Sequence, residues 1–117
     1  MTRWSEGQFE AYMKPDEQPE SALQKLIVDD AISRGWLVHS HKQSKDYYKV
    51  HTKGEGWADV VILMPVGRVV MLELKAKKGI MRDEQKICQR KAKWLGHEWH
   101  QVKTWRQYFE IVEEDKP

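Results

Sequence analysis

Two apolar runs decide what this chain can become. Residues 58–64 read ADVVILM and residues 68–74 read RVVMLEL, with only Pro65, Val66 and Gly67 between them. Each run has the length of a strand and is apolar at nearly every position, so both faces are expected to be covered. Pro at the first position of a type I turn and Gly in the left-handed position suit a three-residue hairpin loop. Such a loop pairs Met64 with Arg68, and counting outwards in step sets Asp59 opposite Glu73, with Cβ atoms roughly 5 Å apart. Lys75 shares their parity and points to the same side. Charges at the ends of buried strands are costly unless they are paired or bind metal. Two carboxylates this close repel, and a hard divalent cation resolves the conflict. A two-residue turn would break the alignment.

The rest of the chain sets this hairpin in a sheet. Residues 1–19 are polar, hold Pro15 and Pro19, and read as an N-terminal extension with one short helix after Ser5. Leu23, Leu26, Ile27 and Ala31 then recur at helical spacing, from Pro19 to near Gly35. A short strand from Trp36 to His41 and a long basic loop or hairpin over 42–56 follow. Beyond the apolar pair come a helix from Asp83 to Leu95 stopped by Gly96, a strand from Trp99 to Lys103, and a last helix through Val112. Thr104 and Gln107 have the spacing of a capping box at its start. The order predicts an α/β fold, a mixed sheet flanked by helices. At 117 residues the chain is one domain, expected over 20–113 with a short acidic tail at 114–117.

Several classes are excluded by composition. The single cysteine, Cys88, allows neither an intrachain disulfide nor a zinc ribbon. His39 with His41, and His97 with His100, lack the further ligands of a zinc site. The apolar stretch 60–74 is broken by Pro65, Gly67, Arg68 and Glu73, and the first residues lack a signal peptide's apolar core. The expectation is a cytoplasmic protein without a membrane partner. The net charge of +2 conceals an asymmetry: residues 74–106 carry ten Lys and Arg against three Asp and Glu. A polyanion partner is expected.

Two more residues aim at the carboxylates. Glu20 lies on the core-facing stripe of the first helix, three and seven residues before Leu23 and Ile27. Gln85 shares a face with Cys88, Ala92 and Leu95, opposite Lys86, Arg90 and Lys93. Taken in order, Gly56-Trp57-Ala58-Asp59, a thirteen-residue spacer, Glu73-Leu74-Lys75 and then Gln85 resemble the PD-(D/E)xK nuclease superfamily. Within it the pattern is most similar to the VRR-NUC (virus-type replication-repair nuclease) family, over roughly residues 20–105. Ala58 stands where the superfamily usually has proline, and Arg82 where the family often has a small N-capping residue.

The resemblance implies a restriction-endonuclease-like αβββαβ core and a Mg²⁺- or Mn²⁺-dependent deoxyribonuclease. It implies that Asp59, Glu73 and the Leu74 backbone carbonyl hold the metal. Lys75 would orient the attacking water or neutralise charge on the phosphate. Glu20 would hold a second metal or a metal-bound water, and Gln85 would tune the site. The expected substrate is branched or structured DNA, of the Holliday-junction type. The expected setting is phage or prophage replication and repair in a bacterial or phage-infected cytoplasm, with the protein acting as a homodimer. Nucleic-acid contacts are expected from Lys42, Lys45, Tyr47, Tyr48, Lys49 and Lys53 in the long loop. Lys77, Lys78, Arg82, Lys86, Arg90 and Lys93 extend them. Rival expectations are a flap or end-processing nuclease, a restriction-type nuclease, and a non-catalytic DNA-binding module of the same fold.

Plainer roles exist for each residue. Asp59 would cap a strand, Glu73 and Lys75 would form a surface pair, Glu20 would favour a helix N-terminus, and Gln85 would be an exposed helix residue. The long loop would be a solvated connection. Trp36, Trp94, Trp99 and Trp105 are expected in the core, and Cys88 as a small core residue.

Overall fold

A computed structural model of the chain describes residues 4–13, 19–40, 57–75 and 83–114. The elements are α1 (Glu6–Met13), α2 (Glu20–Ser33), β1 (Leu37–Ser40), β2 (Val60–Leu63), β3 (Val69–Leu74), α3 (Asp83–Trp94), β4 (Glu98–Val102) and α4 (Trp105–Glu113). From α2 to β4 this is the expected αβββαβ order. The four strands form one sheet in the order β1-β2-β3-β4. The first two pairings are antiparallel and β3 runs parallel to β4, so α3 is the crossover between them.

The hairpin register is the expected one. Val60 pairs with Leu72 and Leu63 with Val69, and the Met64 N–H donates to the Arg68 carbonyl at 2.8 Å. The turn itself differs from expectation. Val66 lies at φ 61°, ψ 33° and Gly67 at φ 73°, with the Arg68 N–H donating to the Pro65 carbonyl at 3.4 Å. Two successive left-handed residues make a turn of type I′ character, whose twist matches that of the strands where a type I turn would splay them. The loop length survives, and with it the alignment of Asp59 and Glu73. The cost falls on Val66, a β-branched residue in a conformation that favours glycine or asparagine.

The core lies mainly on one face of the sheet. Leu23, Ile27 and Ala31 of α2 meet Val60, Ile62, Val70, Leu72, Leu74 and Val102, and Trp105, Tyr108 and Val112 of α4 complete the cluster. The opposite face carries a smaller cluster of Ala58, Met71, Ala92 and Trp99, with Val61 and Cys88 packed against it. Complete burial of both apolar strands therefore holds for the end of β3 and fails for β2. There Val61 is half-buried and Leu63 is exposed. The physical reason is that α3 packs on β4 rather than across the whole sheet.

Trp99 and Trp105 are buried and Trp36 packs at the edge of the main core, but Trp94 is 82% exposed. Nine residues separate it from Gln85, which is two and a half helical turns, so the two point in opposite directions. Leu95 is also exposed and lies past the end of α3 rather than on its buried face.

Two local devices hold α4 in place. Thr104 and Gln107 form the expected capping box: the Thr104 hydroxyl accepts from the Gln107 N–H at 3.1 Å and the Gln107 side chain accepts from the Thr104 N–H at 3.2 Å. The fully buried Asp30 accepts from the Tyr108 hydroxyl at 2.6 Å and from Arg34 Nε at 2.7 Å, while Arg34 Nη1 reaches Glu113 at 2.7 Å. Burial and the Asp30 hydrogen bond push the Tyr108 phenol above its ordinary pKa. The network joins α2 to α4, and Tyr12 of α1 together with Trp4, just before that helix, packs against Phe109 of α4.

Removing one donor from a buried charged acceptor is expensive, so Tyr108→Phe should lower the unfolding free energy by about 1–3 kcal/mol in chemical denaturation. Val66 has its side chain fully in solvent. Val66→Asn should therefore raise stability by about 0.5–1 kcal/mol, by relieving the left-handed strain with no loss of burial. A fall in melting temperature would contradict that account of the turn.

Candidate metal centre

The ends of β2 and β3 bring the expected carboxylates together. Asp59 precedes β2 by one residue, and its Oδ2 accepts from the Leu74 N–H at 2.8 Å. That bond fixes the side chain against the end of β3 and keeps the hairpin alignment one residue beyond the last backbone pair. Glu73 is fully buried. Its Oε1 accepts from Gln85 Nε2 and lies 3.4 Å from Lys75 Nζ. Its Oε2 is buried and has no hydrogen-bond partner among the described residues. Lys75 and Gln85 are themselves buried. Continuing β3 against β4, the Lys75 N–H donates to the Val102 carbonyl at 3.0 Å, so the lysine's backbone is held by the parallel pairing.

The electrostatics follow from this crowding. Burial, and then the neighbouring Asp59 carboxylate, push the Glu73 carboxyl up to about 8. Burial also raises Asp59, against the Leu74 hydrogen bond and the Lys75 charge that favour its ionised form; Glu20 adds to the rise. Glu20 begins α2 and is close enough to Asp59 to act on its charge. The structure thus gathers Glu20, Asp59, Glu73, Lys75 and Gln85 around the end of β3. Once ionised, two crowded carboxylates with one unpartnered oxygen are the donor chemistry that a hard divalent cation satisfies. Among the described residues no group of three His, Cys, Asp or Glu stands ready to hold a metal alone. Two carboxylates with a backbone carbonyl and water make a sufficient set for Mg²⁺ or Mn²⁺, which retain several waters when bound.

The remaining expected residues divide in two. Lys42, Lys45, Tyr47, Tyr48, Lys49, Lys53, Lys77, Lys78 and Arg82 lie outside the described residues. Lys86, Arg90 and Lys93 are exposed on α3, on the sides away from buried Gln85 and Ala92. Trp57 is half-exposed beside Asp59. Cys88 packs against the smaller core, and burial followed by the charge of Glu73 raises its thiol. Sequence reasoning missed Gln24, whose side chain hydrogen-bonds Ser40 across the gap between α2 and β1. Its position four residues after Glu20, on the same side of the helix, was the available signal. It also missed Glu98: although burial works the other way, Arg68 and His100 hold its carboxyl down to about 2.

Glu73 makes a testable contribution to stability. A carboxyl that titrates near 4.5 in the unfolded chain and near 8 in the folded one keeps its proton longer when folded. Stability in EDTA should therefore fall as pH rises from 4.5 to 8 and level off above. Glu73→Gln should flatten that part of the melting-temperature profile, and an unchanged slope would dissociate Glu73 from the effect.

A solved structure of a VRR_NUC domain matches this architecture with a TM-score of 0.65. The match covers 83% of this chain and 97% of that one, at 18% sequence identity. No protein-family model matches the chain, and no curated protein matches it. No helix among the described residues is long and apolar enough to cross a membrane. With its mixed four-stranded sheet, flanking helices and αβββαβ order, the chain has the fold of a VRR_NUC domain.

Proposed function

We propose that the chain is a divalent-metal-dependent nuclease of the VRR-NUC family that hydrolyses phosphodiester bonds in DNA. The observation that carries this reading is the half-buried Asp59 crowded against the fully buried Glu73, with Lys75 Nζ 3.4 Å from Glu73. A merely structural protein gains nothing from pressing two carboxylates together in a low-dielectric site. Asp59, Glu73 and the Leu74 carbonyl would hold Mg²⁺ or Mn²⁺, with Glu20 available to a second ion. A bound ion of this class lowers the pKa of water and screens the phosphate.

The chain's own groups have distinct tasks. Gln85 donates to Glu73 Oε1, which leaves the unpartnered Oε2 as the oxygen that would serve a ligand. The Leu74 N–H holds Asp59 in place by donating to its Oδ2. Lys75, pinned through its backbone to Val102, supplies a positive group that orients the attacking water or offsets charge developing on the phosphate. Burial of Glu73, Lys75 and Gln85 excludes bulk water from that side.

The preferred substrate in this reading is branched or structured DNA, tested first as a four-way junction, with a homodimer placing one site on each of two strands. Support comes from the basic excess in residues 74–106 and from the absence of any sequence motif for base reading. A phage or prophage replication and repair setting is the corresponding biological expectation.

Cleavage should be measured on junction, flap, duplex and single-stranded DNA and on RNA, in Mg²⁺, Mn²⁺ or EDTA. Cutting should require the metal and fall at least about a hundredfold in Asp59→Ala and in Lys75→Ala, with melting confirming that both variants fold. Gln85→Ala should lose roughly ten- to a hundredfold, as a residue that orients a ligand. Cutting that persists in both alanine variants would remove these residues from the reaction. Junction cutting without paired symmetric nicks would exclude the resolvase form.

A further inference from the structure

Among the described residues, a groove opens onto Asp59 and Glu20. Asp59 and Leu74 line a cavity of about 760 Å³ between α2 and β1, whereas Glu73, Lys75 and Gln85 do not reach it. Lys86, Arg90 and Lys93 on α3 do not line it either, so a substrate reaching Asp59 this way does not lie along the exposed basic face of that helix. Resting on the nuclease reading above, we propose that this groove receives the base and sugar of one unstacked nucleotide adjoining the scissile phosphate. The chain would thereby select DNA with an unpaired nucleotide beside the cut over continuous duplex.

The lining has the chemistry of a nucleoside site. Ser21, Gln24 and Val28 follow at three- and four-residue steps along one face of α2, and Ser40 stands opposite on β1. They offer two hydroxyls, an amide and an apolar floor, the mixture that suits a flat, partly polar ring. Gln24 bonded to Ser40 ties the two walls, which fixes the width of the groove before anything enters. The volume falls in the range of roughly 300–1,000 Å³ typical of pockets for small ligands.

Charge decides which part of the polymer enters. Among the described residues the groove carries three carboxylates, Glu20, Asp29 and Asp59, and one cation, Lys25, which is ion-paired with Asp29 at 3.0 Å. A run of phosphates would meet net negative charge along this wall. A neutral base and sugar would not, and the single phosphate beside them would sit at the carboxylate end, where a bound cation offsets the repulsion. Taking a base out of a stack costs least where it is already unpaired, and that difference supplies the selectivity.

The test compares two fluorescein-labelled duplexes, identical except that one carries a single unpaired nucleotide, by anisotropy in Ca²⁺ and in parallel by cleavage in Mg²⁺ and in Mn²⁺. The wild-type chain should bind the duplex with the unpaired nucleotide at least tenfold more tightly. Ser21 is exposed, so Ser21→Trp narrows the groove without disturbing the core. That variant, and independently Gln24→Ala, should bring the two affinities within about twofold while keeping a cooperative melt. Equal affinities in the wild type would overturn the proposal whether or not DNA is cut, as would a preference that survives both variants. A preference that the variants abolish, with no cleavage of either duplex, would sustain the groove and remove the nuclease reading instead.

Discussion

Two carboxylates that share a buried site impose the condition to which the rest of this structure answers. Each would lower its energy by moving into water, from which Glu73 is cut off and Asp59 is partly shielded. Glu73 is held from one side by Gln85 and Lys75, and Asp59 is held by the Leu74 N–H. Those restraints depend in turn on the β2–β3 register, because a shift of one residue would move Glu73 to the opposite face of the sheet. The register depends on three residues, Pro65 to Gly67, and the chain accepts a left-handed valine there to keep the loop at that length. Strain at the hairpin tip and electrostatic cost at its base are thus two ends of one geometric requirement. Local strain of this kind persists where the surrounding structure over-determines it.

Much of this was legible in the residues. Strict apolar runs of strand length, a three-residue turn and a capping box are local signals, and local signals specify register and helix starts well. Asp59, Glu73 and Lys75 could be placed together because a hairpin converts sequence distance directly into spatial pairing. The turn type was misjudged because Pro65 invites a type I turn, whereas strand twist favours left-handed residues at the tip. Trp94 was misplaced for a different reason. An aromatic residue suggests burial by its type, but its direction is set by the helical phase relative to Gln85, and that phase sends it into solvent. The Asp30–Arg34–Tyr108 network was invisible for a third reason: it joins residues 78 positions apart, and no pattern along either helix announces the partner.

The positions of the charges refine the idea of a basic nucleic-acid face. The excess of Lys and Arg in residues 74–106 is real as a count. In space, Lys75 turns inward to Glu73, while Lys86, Arg90 and Lys93 point outward from α3. The opening toward Asp59 is bordered by α2, whose contribution is mainly acidic. Among the described residues, a polyanion approaching along α2 therefore meets local repulsion beside Asp59. Long-range attraction and short-range repulsion act over different distances, since salt screens charges beyond about 10 Å while the groove residues act at contact.

That opposition has a thermodynamic consequence on the proposed reading. A cation held by Asp59 and Glu73 would remove the local repulsion, so metal and DNA would each tighten the binding of the other by the same factor. The raised carboxyl of Glu73 adds a third participant, because the proton that it retains must leave before the oxygen can serve as a ligand. Metal, proton and phosphate then compete or cooperate at one buried oxygen pair. The fold's contribution is to keep that pair in place when none of them relieves it, through a hairpin register, a glutamine and a lysine whose own positions are set by β3, α3 and β4.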